Sequence, residues 1–142
     1  MKTIVKNGML CTESGVYEAD ILIENGVIRE IGTGLAEHES KLGSADAEIE
    51  IVDASGKYVL PGAVDIHTHM DLDVGIARVI DDFYTGTIAA ACGGTTSIVD
   101  HMAFGPKDCS LWHQVREYHK LADGNAVVDY GFHGVFQHVN PQ

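Results

Sequence analysis

Beyond His69 the chain stops reading as strands alone and alternates short apolar runs with helix-patterned segments. That alternation places it in the α/β class, because neighbouring parallel strands need a long crossover, and a helix lying on the sheet supplies it. Asp81 or Asp82 can cap a helix running through Ile88-Ala89-Ala90-Ala91, and Gly93-Gly94 can end it, since glycine takes the left-handed cap at no steric cost. A strand is predicted from about Thr96 to Val99. Leu111, Val115, Tyr118 and Leu121 then recur at near-helical spacing up to Gly124, and a further strand is predicted from Ala126 to Tyr130.

Before that switch the pattern is β. A strand is predicted near Thr3 to Asn7, followed by a hairpin in which Asp20 to Glu24 joins Val27 to Ile31 through Asn25-Gly26, two residues that tolerate the positive φ of a two-residue loop. Leu35 to Ala47, rich in Glu, Gly and Ser, reads as a solvated connection. Glu48 to Asp53 alternates as a strand with one wet face does. Tyr58 to Leu60, with Val64 and Ile66 beyond Pro61-Gly62, supports one more strand, so a boundary is expected near Lys57 to Gly62, between a β portion (1–58) and a βα portion (59–142).

Each strand of the βα portion ends in polar residues. His67 and His69 follow the first, Asp100 and His101 the second, and His133 the third. The two-residue period of a strand puts His67 and His69 on one side, where both imidazoles can hold one metal ion, zinc by preference with manganese or cobalt acceptable. The plain alternative is a pair of hydrogen-bonded core histidines. Asp65 is expected to support the interior or to contact a ligand rather than to be one. Asp100 and His101 could equally mark a strand reaching solvent.

The formal net charge of −12, from 21 Asp and Glu against 9 Lys and Arg, argues against a nucleic-acid or anionic-membrane partner bound through a basic surface. Cys11, Cys92 and Cys109 form no paired spacing, so a disulfide framework and a thiol mechanism are not expected, and a reducing, cytoplasmic setting is. No apolar run approaches the roughly 20 residues that span a bilayer, and no signal-peptide pattern opens the chain. His38, His113, His119 and His138 are expected on the surface.

The run Pro61-Gly62-Ala63-Val64-Asp65-Ile66-His67-Thr68-His69 resembles the first metal-binding strand of the cyclic amidohydrolases. Asp81 to Thr87, Ala89 to Asp100 and Val128 to His133 are similar to the hydantoinase and dihydropyrimidinase family, and Asp73 to Arg78 with His101 to Pro106 to its phenylhydantoinase branch. The resemblance implies the first βα units of a TIM-like (β/α)8 barrel preceded by an incomplete β-sandwich. A barrel of that kind takes roughly 250 residues, so the 142 present are expected to be an amino-terminal portion.

It further implies two divalent metals, zinc in kind, with His67 and His69 as ligands. A small cyclic amide would be the substrate, and the complete enzyme a homo-oligomer of homotetrameric form. His101 and Asp73 are expected at the substrate, Asp73 from the loop Met70 to Ile80, which departs from the commoner Pro-Phe-Gly-Gly form. The family's carboxylated lysine, two further histidines and aspartate base come from later strands, and neither Lys107 nor Lys120 stands in for that lysine. A non-catalytic scaffold relative, and a dihydroorotase or allantoinase, are the rival readings.

Overall fold

The computed structural model describes residues 1–41 and 49–136. The chain divides into two compact units, Met1–Pro61 and Gly62–Gln142. Among the described residues no helix is long and apolar enough to cross a membrane.

The first unit is a five-stranded sheet with one short helix. Strands β1 (Lys2–Thr12), β2 (Gly15–Glu24) and β3 (Val27–Gly32) form an antiparallel meander, and β4 (Ile49–Asp53) and β5 (Tyr58–Val59) pair parallel to β1. Asn25 and Gly26 carry φ of 52° and 78°, the conformation that lets a two-residue turn follow the twist of its strands. The β1–β2 hairpin was not evident from the sequence, because β1 is broken by a register shift between Val5 and Gly8, with Asn7 at φ 60°. Asp20, buried beneath that shift, accepts the Asn7 N–H at 2.9 Å and the Leu35 N–H at 3.1 Å.

The expected solvated connection from Leu35 to Ala47 is corrected in its first half. Residues Leu35–Lys41 form helix α1, because Leu35 is buried against Ile4 and Leu22, an anchoring contact that the polar composition around it concealed. Residues 42–47 lie outside the described part. The apolar run around Pro61 also divides: Tyr58 and Val59 belong to the first sheet, whereas Ala63–Thr68 forms β6 in the second unit.

In the second unit β6, β7 (Thr95–His101) and β8 (Asp129–His133) make a parallel sheet in that order, with α2 (Phe83–Cys92) and α3 (Leu111–Ala122) in the crossovers. Asp82 caps α2 reciprocally: its carboxylate accepts the Thr85 N–H at 2.7 Å, and its own N–H donates to Thr85 Oγ1 at 3.3 Å. Gly94, at φ 86°, turns the chain into β7. Phe83, Ile98, Met102, Tyr118 and Ala122 form the buried core between helices and sheet.

Two strand boundaries differ from expectation. β7 runs on through Asp100 and His101, and β8 lies three residues later than Ala126 to Tyr130. The partner strand sets both limits, since Ser97 pairs with Asp129 and His101 with His133. The Val127 N–H instead donates to the buried Thr87 Oγ1 at 3.0 Å, so that apolar stretch is an approach to the strand.

Gly62, just before β6, lies close against Thr96 of β7. A Cβ there would stand 2.1 Å from Thr96 Oγ1 and 2.7 Å from Thr96 Cβ, and the latter is held in place by the β7 backbone. Gly62→Ala should therefore destabilise the protein by about 1–3 kcal/mol, as overpacking does. Urea denaturation measures this, and an unchanged midpoint would show that β6 can shift freely.

Candidate metal centre

Strand alternation sorts the second sheet into two faces. Ile98 belongs to the helix-covered core, and Tyr130 and Phe132 pack against it. With the β7–β8 register fixed, Ser97, Val99 and His101 alternate with Ile98 and Asp100 and stand opposite Asp129, Gly131 and His133 on the other face.

At the carboxyl ends of the three strands four imidazoles gather. His67 Nε2 and His69 Nε2 lie 3.2 Å apart. The His101 ring stacks on His67, with centroids 4.0 Å apart and planes inclined by 28°, and lies 4.6 Å from the ring of His133. His133 Nε2 is 3.1 Å from the Ile66 carbonyl, which it reaches as a donor when that nitrogen is protonated. His133 thereby spans to the strand that carries the pair. Asp65 Oδ1 accepts the His67 N–H at 3.1 Å, so its carboxylate supports the backbone of the histidine strand.

Nitrogens bound to one tetrahedral ion at about 2.0–2.1 Å lie roughly 3.3 Å apart. The observed 3.2 Å between the two Nε2 atoms suits that arrangement. Without a cation, one imidazole must donate to the other, because two lone pairs at this distance repel. Two imidazoles are fewer than the three protein ligands a catalytic zinc takes. Among the described residues no group of three or more His, Cys, Asp or Glu is arranged to hold an ion.

Asp100 sits on the opposite face and is completely buried. Its Oδ1 accepts the Thr68 hydroxyl at 2.7 Å and the Met70 N–H at 2.8 Å, while Oδ2 is buried and has no hydrogen-bond partner among the described residues. Burial pushes its carboxyl above the usual carboxylate range, with the Thr68 and Met70 hydrogen bonds opposing. His101 Nδ1 is likewise buried and unpartnered. Burial, then the nearby imidazoles of His67, His133 and His69, hold its pKa below the ordinary histidine value, which favours the neutral ring.

His69, Leu72, Asp73, His101, Met102 and Phe104 help line a cleft of about 580 Å3. Asp73 is on its wall, and its Oδ1 accepts the Gly75 N–H at 2.7 Å, so the carboxylate also shapes its own turn. The loop from Met70 to Ile80 contains a small hairpin. Asp73 pairs with Arg78, the Val79 N–H donates to Leu72 O, and Arg78 bonds the Asp71 carboxylate at 2.8 Å.

Of the histidines assigned to the surface, His38 is exposed, whereas His113 is half-buried. His119 is exposed yet engaged, with Nδ1 2.9 Å from the Tyr130 hydroxyl and its ring against Phe132. His138 lies outside the described residues. Lys120 pairs with Glu117 at 2.7 Å on α3, and Lys107 sits in a turn. The three cysteines are free thiols. The Thr68–Asp100 bond escaped sequence reading. Its one signal is a threonine between two histidines, which the strand period turns toward the face opposite theirs.

No protein-family model matches the chain. It is 51% identical over 140 residues to D-phenylhydantoinase of Escherichia coli O1:K1, a match covering 99% of this chain and 29% of that protein. Among solved structures, a D-hydantoinase superposes with a TM-score of 0.84 at 41% identity, covering 99% of this chain and 28% of that one. Dihydropyrimidinase from Brevibacillus agri NCHU1002 gives 0.79 at 42% identity, covering 94% of this chain and 27% of that one. The chain thus spans less than a third of the length of these relatives. Over the stretch it spans, the chain belongs to the hydantoinase and dihydropyrimidinase family.

Proposed function

We propose that this chain is the amino-terminal portion of a metal-dependent cyclic amidase that hydrolyses the ring amide C–N bond of a hydantoin or dihydropyrimidine. The observation that carries the reading is the convergence of His67 and His69 at a parallel strand end, in a chain half identical to D-phenylhydantoinase. On this reading residues 1–58 are part of a β-sandwich, and residues 59–142 begin a (β/α)8 barrel whose later strands bring the remaining ligands and the base. The complete enzyme is a cytoplasmic homo-oligomer.

His67 and His69 hold the metal, zinc or a similar divalent ion, through Nε2. When bound, the ion activates water and polarises the ring carbonyl. Hydrolysis forms one carbon–oxygen bond, breaks the ring carbon–nitrogen bond and leaves the proton on the departing nitrogen, giving an open ureido acid. His101 and Asp73 border the cleft beside His69, where they contact the ring substituent.

The complete enzyme should open a 5-substituted hydantoin, whereas residues 1–142 alone should not, since two imidazoles leave most of a coordination shell to water. Chromatography of the ureido product decides this. A metal-loaded complete enzyme inert toward hydantoins and dihydropyrimidines, or turnover by the isolated segment, would contradict the proposal.

A further inference from the structure

We propose that Asp100 is a positioning residue that fixes the spacing of the two imidazoles by gripping the strand end from behind. The inference rests on the metal-site reading of His67 and His69, and adds a residue that touches neither metal nor substrate. His67 and His69 share one side of the chain, and the residues that follow each of them, Thr68 and Met70, both reach a single oxygen. Asp100 Oδ1 accepts the Thr68 hydroxyl at 2.7 Å and the Met70 N–H at 2.8 Å.

This grip lies beside an irregularity in the β6–β7 ladder. The β6–β7 register is irregular between Asp65 and Thr68, and β6 ends at Thr68, so His69 and Met70 lie beyond regular strand pairing. Asp100 restores a tie across that gap from the opposite face of the neighbouring strand. Its burial makes the tie stiff: it is fully enclosed, whereas His67 and His69 are exposed, so the carboxylate is the fixed point to which the exposed ligands are referred. A buried acceptor is costly unless bonded, so Oδ1 keeps its two donors in place.

The test is Zn2+ affinity of the complete, metal-stripped protein, measured by competition with a chromophoric chelator alongside thermal melting. Asp100→Leu keeps the branching at Cγ, with a bulkier side chain, and removes the acceptor, and should weaken Zn2+ binding about 10- to 100-fold, the range for partners that orient metal ligands. Asp100→Asn retains an oxygen that can accept from Thr68 and Met70, and should stay within about threefold of the parent. Thr68→Val, which leaves Asp100 in place and removes one donor, should fall between them and remains informative if the leucine variant does not fold.

Asparagine rescue of affinity separates ligand positioning from a general role in folding, which melting temperatures report independently. Parental affinity in both Asp100→Leu and Thr68→Val would overturn the inference, as would an asparagine variant as weak as leucine. Failure of the parent protein itself to bind Zn2+ would instead refute the metal-site reading beneath it.

Discussion

His67→Ala and His69→Ala should each abolish hydantoin turnover by the complete enzyme and remove bound metal with it. The expected loss exceeds about 100-fold, since even residues that only orient a metal ligand cost about 10–100-fold when replaced. The two Nε2 atoms lie 3.2 Å apart, a spacing at which both can reach one ion, so neither imidazole can be lost without halving what this pair offers it. His101→Ala should behave differently. Its ring stacks against His67 and borders the cleft beside His69, so its removal should change KM across a panel of 5-substituted hydantoins while metal content stays near parental. Metal content measured beside kinetics separates the two classes. Equal metal loss in all three variants would make His101 a ligand.

Phe83→Ala should be the most damaging change outside the site, costing about 3–5 kcal/mol, the range for deleting a buried phenylalanine ring. Phe83 is wholly buried at the first position of α2. Its ring meets Tyr118 of α3 edge to face at 6.4 Å between centroids and Phe132 of β8 at 6.2 Å. One side chain therefore joins both helices to the sheet. Against a total stability of about 5–15 kcal/mol for a typical domain, such a loss would leave little margin. Phe83→Leu should cost much less. Urea denaturation followed by near-ultraviolet circular dichroism reads both, and a shift below about 1 kcal/mol for alanine would show that the cavity collapses.

What the sequence made legible, and what it did not, follows from the range of the interactions. The Asn25-Gly26 hairpin, a cap at Asp81 or Asp82 and the Gly93-Gly94 turn are local, set by residues a few positions apart, and could be read directly. That His67 and His69 face the same side could be read as well, because the strand period sets it, although His69 stands one residue past β6. The limits of β7 and β8 were hidden, because the partner strand fixes them some 30 residues away along the chain (Ser97 with Asp129). Helix α1 was hidden because one buried leucine outweighs six neighbours of mostly polar character.

The site followed the same rule. Asp100 was visible as a polar residue at a strand end, but its grip on Thr68 and Met70 depends on the β6–β7 register, which no local pattern encodes. The placement of His101 between His67, on which it stacks, and His133 needs three strands in order. The turn made by Asp73 was within reach of sequence, since an aspartate two residues before a glycine often bonds that glycine's N–H.

The central claim is that His67 and His69 share a metal ion, and anomalous diffraction from crystals of the complete enzyme, recorded on both sides of the zinc absorption edge, tests it most directly. A peak is expected within about 2.0–2.2 Å of both Nε2 atoms. A zinc-loaded crystal whose anomalous peaks all lie elsewhere, with the two imidazoles bonded only to each other, would contradict it.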